Sequence, residues 1–270
     1  MIKVCEVCGN RMKVFAKGDS YTYWKCAGCH WYSTSANFTE RTFDYDDYET
    51  FDADLTNKDA LVIEAKRILK YKFNLLNLKP RNFLDVGCSE GIFVKAYDEL
   101  MHSAEGYGIE VAKPKIQRAR DEGLKVYSFE DMPKKKFDFI FCRHVIEHID
   151  KPMEYLHKIL EYIGEEGVLC IETPNNENWD NLRNGNSIRE DRFCRDLYPP
   201  THVCGFAPKT FKVIGRNLNL EMIKLLTHNV SNLDWCYSLG EGEEKTSLKN
   251  RFIEKIYLGG NIAVFYHVCK

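Results

Sequence analysis

The stretch FLDVGCSEGIFVKAYDEL, from Phe83 to Leu100, constrains this chain more than any other. A short apolar run ends at Gly87, Gly91 closes the turn, and an amphipathic helix starts at once. A strand, a glycine turn and a helix N-terminus bring backbone N–H groups to one point, which is a natural seat for a nucleotide. Two kinds of seat are excluded. The phosphate loop G-x-x-x-x-G-K-[ST] is absent, and so is the dinucleotide fingerprint G-x-G-x-x-G, because GCSEG has no third glycine. Glu110 ends the next apolar run, 25 residues after Asp85, where a carboxylate could take both hydroxyls of a ribose. Turn and acid alone fit any nucleoside ligand.

From Phe83 onward, short apolar runs (NFLDVG, AEGYGIE, LKVYS, FDFIFC, GVLCIET) alternate with amphipathic segments (IFVKAYDELM, AKPKIQRARDEG, PMEYLHKILEYI, PKTFKVIGRNLN). Alternation of this kind predicts a parallel sheet with helices on both faces. An earlier stretch, NKDALVIEAKRILKYKFNLLNL, has helical apolar spacing and ends before Pro80. LEMIKLLTHN and GNIAVFYHV read as strands with no good helix between them, so the chain is expected to end on an antiparallel pair.

Near the N-terminus, CEVCGN and KCAGCHW place Cys5, Cys8, Cys26 and Cys29 as two C-x2-C pairs seventeen residues apart. That spacing suits a tetrathiolate zinc site, with a hairpin around Gly18-Asp19 between the knuckles. Two disulfides or a redox dithiol are the alternatives. About 35 residues bury too little core to fold unaided, so a metal would supply the folding energy. Four thiolates close a tetrahedron, which makes the zinc structural rather than catalytic. His30 and Trp31 are expected to pack beside the last knuckle.

These readings divide the chain into a zinc ribbon (1–36), an aromatic and acidic linker (37–56) and a main domain (57–270), with lid insertions near 175–200 and 229–258. The linker, rich in large aromatics from Phe38 to Phe51, is expected to pack on the main domain. The first insertion carries Trp179, Arg189, Arg192 and Arg195, which would suit an anionic substrate.

Composition narrows the partners. A net charge of -2 gives no general attraction for nucleic acid or an anionic membrane. No apolar run reaches a membrane span, and the first residues do not form a signal peptide, so a cytoplasmic protein with mostly reduced thiols among its 11 cysteines is expected.

Taken together, FLDVGCSEG, GYGIE, the stretch from SFEDMP to FDFIFCRHVIEHIDKP, GVLCIETPN and THVCGFAPKTF resemble class I S-adenosylmethionine-dependent methyltransferases, over most of residues 57–228. The similarity is greatest to the branch that modifies small molecules, sugars and quinone precursors. It implies an α/β, Rossmann-like doubly wound sheet, mostly parallel with an antiparallel last strand, behind the small ribbon. It also implies a cofactor, S-adenosylmethionine, held by Asp85, Gly87, Cys88, Gly91 and Glu110, with Ser128 and Phe129 near adenine. Cys142 and Arg143 would line the methionine end. Ser128 stands where the family usually has Asp, and Ser89 where many members have Gly.

Methyl transfer needs alignment of a nucleophile, and a hydroxyl acceptor also needs a base. RHVIEHID offers His144 and His148 after a strand end, where open sheets bind ligands. His148 is the first choice as base, His144 the second, and His202 in THVCGF the third; each could equally bond backbone. The leading expectation is O-methylation of a sugar or of a nucleotide- or phosphate-linked sugar in bacterial polysaccharide biosynthesis. The alternatives are an RNA methyltransferase that grips RNA with its ribbon, which the charge disfavours, and a non-catalytic module whose ribbon docks a partner.

Overall fold

The structure is a computed structural model that describes residues 2–36, 57–178, 196–228 and 260–268, together with the backbone of 188–189 and 192–193. The linker, the arginine side chains and Trp179 of the first insertion, and the second insertion lie outside the described residues.

The ribbon holds β1 (Met12–Lys17), β2 (Tyr21–Cys26) and β3 (Tyr32–Ala36). β1 and β2 form the expected hairpin, with Met12 opposite Cys26. The main domain follows with α1 (Lys58–Leu75), β4 (Asn82–Val86), α2 (Ile92–Leu100), β5 (Glu105–Ile109), α3 (Lys113–Asp121), β6 (Val126–Tyr127) and β7 (Phe137–Arg143). Then come a 3-10 turn (Ile146–His148), α4 (Pro152–Leu160), β8 (Ile163–Pro174) and a backbone hairpin of β9 (Ile188–Arg189) and β10 (Arg192–Phe193). Last are β11 (Cys204–Gly205), α5 (Pro208–Asn217), β12 (Leu220–His228) and β13 (Asn261–Val268).

Among the described residues, seven strands form the main sheet in the order β12-β13-β8-β7-β4-β5-β6. From β8 to β6 every pairing is parallel, whereas β13 runs antiparallel to both β8 and β12. The α/β class and the closing antiparallel pair are therefore as expected.

Strand periodicity assigns the two faces. Phe83, Phe139, Phe141, Val168, Cys170, Ala263 and Phe265 point to one side, where they meet Val62, Ala65, Leu69 and Phe73 of α1 and Ala96 and Tyr97 of α2. The alternate residues Leu84, Val86, Ile140, Cys142, Leu169, Ile171 and Val264 pack on the other side against Leu156 and Ile159 of α4 and Phe211 and Ile214 of α5. Fully burying side chains of this size contributes roughly 1.5–3 kcal/mol each, so neither face can be left open.

Lys72 is the exception on the buried stripe of α1. It is fully buried, donates to Glu172 Oε2 at 2.6 Å, and lies between the rings of Phe141 and Phe265.

The ribbon does not stand apart. Val7, Met12, Trp24 and Trp31 belong to the same apolar cluster as Phe206 and Phe211. Its sheet gains a fourth strand from the main domain, because β11 pairs antiparallel with β3 through Gly205–Tyr32 and Cys204–Ser33. No pattern in the sequence announces a two-residue strand.

Candidate active site

The glycine loop sits at the carboxyl end of β4. Gly87 has φ +74, and a Cβ there would collide with Val145 Cγ2. Gly91, at φ +80, starts α2. Ser89 also adopts the left-handed region, φ +49, where glycine is the easiest residue to place. The N–H groups of Gly87 and Cys88 donate to Ile109 O at 2.8 and 3.0 Å, which ties the loop to β5.

Glu110 follows β5, and three backbone donors fix its carboxylate. Ser89 N reaches Oε2 at 2.9 Å, while Val111 N and Ala112 N reach Oε1 at 2.8 and 3.0 Å. Three of its roughly four lone-pair sites are thus taken, and the one left, on Oε2, can accept a ligand hydroxyl without rearrangement. Gly87, Ser89 and Glu110 share the wall of a cavity of about 320 Å3 with Ile109, Val111, Lys115, His144, His148 and Tyr155. That lies at the lower end of the range usual for small-molecule sites, roughly 300–1,000 Å3.

Asp85 is buried in β4 and is not among the residues that line this cavity. Loss of water raises its carboxyl to about 7; Arg143 opposes the rise and Glu110 adds to it. A ligand cation nearby would restore the charged form.

Two imidazoles, those of His144 and His148, also line this cavity. His144 adopts φ +51, and its Nδ1 lies 3.1 Å from Glu147 Oε1. His144 Nε2 is buried and has no hydrogen-bond partner among the described residues. Glu147 is 1% exposed and accepts Thr173 Oγ1 at 2.8 Å. Burial pushes its carboxyl up, but the hydrogen bond from His144 and the nearby His148 and His202 bring it down to about 2.

His148 Nδ1 lies 2.8 Å from the Thr201 carbonyl, so that nitrogen carries the proton. Its ring meets His202 edge-on at 4.8 Å. His202 lies outside the cavity wall: Nδ1 faces Asp196 O at 2.8 Å and Nε2 faces Tyr198 Oη at 3.3 Å. Burial lowers its pKa, with the Glu147 carboxylate pulling the other way. Glu147, His148 and His202 can each bring one atom within 4.8 Å of the others. Those side chains already make the hydrogen bonds above and act as a braced wall.

Other positions read as ligand contacts sit elsewhere. Cys88 points its thiol away from the cavity into the cluster of Val94, Ile116, Ala119 and Val126, so only its backbone belongs to the loop. Cys142 alternates onto the fully buried face of β7. Arg143 faces Glu172 Oε1 at 3.1 Å and lies over the ring of Phe93. Ser128 exchanges hydrogen bonds with Asp131, and Phe129 stands edge-on behind Tyr155. Tyr155, Lys115 and Val111 line the cavity and were not singled out by any motif. Val111, 56% exposed yet apolar beside Glu110, is the one that offered a signal.

At the ribbon, Cys5 Sγ lies 3.5 Å from Cys29 Sγ and Cys8 Sγ 3.4 Å from Cys26 Sγ, with all four sulfurs within 4.8 Å. A disulfide needs about 2.05 Å, whereas four sulfurs about 2.3 Å from one zinc stand a little under 4 Å apart. The Cys5–Cys29 hydrogen bond pushes the Cys5 thiol down and the Cys29 thiol up, and backbone N–H groups of Val7 and Cys8 also favour the Cys5 thiolate. The donor set therefore fits a tetrathiolate zinc.

A model for a methyltransferase domain matches residues 63–225. The chain belongs to the methyltransferase domain family. Among curated relatives it is 27% identical over 109 residues to a ubiquinone biosynthesis O-methyltransferase of Alkalilimnicola ehrlichii, covering 36% of this chain and 43% of that protein. A Coxiella burnetii protein of the same description is 27% identical over 117 residues, 40% of this chain and 49% of its own. The chain thus spans under half the length of these relatives. Among solved structures, the plantazolicin methyltransferase BpumL in complex with a triazolic desmethylPZN analog and SAH superposes at TM-score 0.53 and 14% identity, over 83% of this chain and 95% of that one. A complex of the Haloferax volcanii Trm112 methyltransferase activator and the putative methyltransferase superposes at 0.55 and 12%, over 86% and 100%. The fold of this chain is that of these solved methyltransferases.

Proposed function

We propose that this methyltransferase acts on a hydroxyl of a small acceptor, with His144 as the base. The observation that carries this is the His144–Glu147 pair: the carboxylate holds Nδ1 and leaves the lone pair of the buried Nε2 without a partner among the described residues, in a side chain that lines the same cavity as Glu110. S-adenosylmethionine, when bound, supplies the methyl group. Glu110 would take a ribose hydroxyl on Oε2, Gly87 and Ser89 would give it backbone room, and Asp85 would face its ammonium. His148, whose Nδ1 is tied to a carbonyl, serves as the second imidazole of the wall. In addition, Cys5, Cys8, Cys26 and Cys29 would hold a structural zinc.

For the acceptor, an aromatic hydroxyl is favoured over a sugar. A phenol ionises near 10, within easier reach of an imidazole than an alkyl hydroxyl, and the curated relatives are named for ubiquinone biosynthesis. The sugar-phosphate reading rests on arginines outside the described residues.

The test is calorimetry with S-adenosylmethionine, followed by mass spectrometry of mixtures with catechol-type phenols, nucleotide sugars and total RNA. A methylated phenol is the expected product. Absence of cofactor binding would end the enzyme reading, and methyl groups found only in RNA would replace this acceptor with the nucleic-acid one.

A further inference from the structure

Residues 201–204 run between the ribbon and the imidazole wall and are bonded to both. On the ribbon side, Thr34 N and Thr34 Oγ1 each donate to Val203 O at 2.9 Å, and β3 pairs with Cys204 and Gly205. On the wall side, Thr201 O faces His148 Nδ1 at 2.8 Å and Val203 N donates to Glu147 O at 3.0 Å. Cys204 Sγ approaches the carbonyls of Ile146 and Ile149 at 3.3 and 3.4 Å. The segment is a splint whose two edges hold different parts of the molecule.

The ribbon is in turn fixed at its knuckles. Thr210 Oγ1 donates to Cys29 O at 3.0 Å and Asn217 Nδ2 to Val7 O at 2.6 Å. Lys25, His30 and Tyr32 converge on Glu177. The cofactor half of the cavity is held differently. Its defining bonds, from Gly87 and Cys88 to Ile109 and from Ser89, Val111 and Ala112 to Glu110, all lie within the main domain.

We infer that the metal-bound ribbon is a positioning element for the acceptor side of the site: through β3 and Val203 it holds Glu147, and through Glu147 it holds His144, while leaving the cofactor side independent. This rests on the zinc reading of the four cysteines and on the base assignment above. A ribbon of this size has little core of its own, so its metal keeps the β3 edge in place. Thr34 is a positioning residue and touches no substrate.

The experiment uses the full chain, its zinc content measured, before and after removal of metal by a strong chelator. Backbone hydrogen exchange is followed by mass spectrometry, and S-adenosylmethionine affinity by calorimetry. On metal loss, exchange in 144–149 and 201–204 should rise at least about tenfold, while that of β4 and β5 stays put, because local opening is set by local bonding. Cofactor affinity should change by less than about threefold, since 1.4 kcal/mol is already tenfold. A second variant separates positioning from folding. Thr34→Pro keeps all four cysteines and removes the N–H and the hydroxyl that face Val203; that N–H points away from β2, so the ribbon hairpin loses no bond. It should retain one zinc and still loosen 144–149. Unchanged exchange at 144–149 in both samples overturns the inference. So does a rise throughout the main domain, or a protein purified without metal on its thiolates. If the untreated chain does not bind S-adenosylmethionine, the proposed function fails, whereas the exchange result still decides this one.

Discussion

Glu147 Oε1 lies 3.1 Å from Nδ1 of His144, and the carboxylate is anchored from behind by Thr173 Oγ1. This fixes which imidazole nitrogen carries the proton. Glu147→Gln keeps the shape but offers an amide that can bond either tautomer. Turnover is expected to fall about a hundredfold, the scale usual for general-base alignment, with cofactor affinity unchanged. His144→Gln should fall at least as far and His148→Gln much less. Steady-state kinetics on the methylated phenol check the order; near-normal turnover in His144→Gln would remove the base assignment.

How much of this site could be read from the chain follows from where each signal resides. Glu110 and the two glycines are local: a turn and an acid at a strand end announce themselves in the residues. The choice between His144 and His148 is not local, because both follow the same strand. It depends on a left-handed backbone at His144 and on the Thr201 carbonyl, 53 positions from His148. The directions of the Cys142 and Cys88 side chains are hidden for a related reason, since which side of a strand or loop is covered depends on the elements packed against it. The ribbon's union with β11 was hidden because two residues carry no period. By contrast, the main sheet was legible, because its buried runs are long and regularly separated.

Glu110 gives a second prediction. Glu110→Gln retains the size and some hydrogen bonding but loses the charge. Its cofactor affinity should drop about ten- to a hundredfold, corresponding to roughly 1.5–3 kcal/mol for a hydrogen bond to a charged group. Calorimetry reads this directly. An unchanged affinity would separate the cofactor from this carboxylate.

Asp85 makes stability depend on pH in a definite direction. Its folded carboxyl titrates at about 7, against about 3.9 when unfolded, so the folded state binds the extra proton between these values. Stability from this group is therefore fully present below about pH 4 and lost as pH rises through about 7. Asp85→Asn removes that loss. The variant should be more stable than the parent at pH 8, by an amount on the order of 2–4 kcal/mol at most, yet weaker in binding S-adenosylmethionine. Denaturant melts at pH 5 and pH 8 test the sign; a parent more stable at pH 8 relative to the variant contradicts it.

Lys72 and Glu172 are both buried, and Arg143 approaches the same carboxylate from the other side. Removing one member of such a pair leaves an uncompensated charge. Lys72→Met is expected to destabilise the fold by about 3 kcal/mol, the lower end of the usual range because Arg143 remains. Adding Glu172→Gln should recover part of the loss. Urea unfolding of both variants gives the comparison, and additive losses would show that the two side chains do not interact.

Val145 joins the two halves of the cavity, because its side chain occupies the space where a Cβ on Gly87 would stand. Gly87→Ala must displace Val145, and His144 is its immediate neighbour. Both cofactor affinity and turnover should fall, unlike the split effects of Glu110→Gln and Glu147→Gln. Gly87→Ala/Val145→Ala relieves the collision but not the backbone. At φ +74 an alanine still pays about 1–2 kcal/mol of left-handed strain. The double variant should therefore recover turnover in part while remaining less stable than Val145→Ala alone. Thermal melts and kinetics on the four proteins separate the two contributions, and full recovery on both counts would show that the loop tolerates a side chain at position 87.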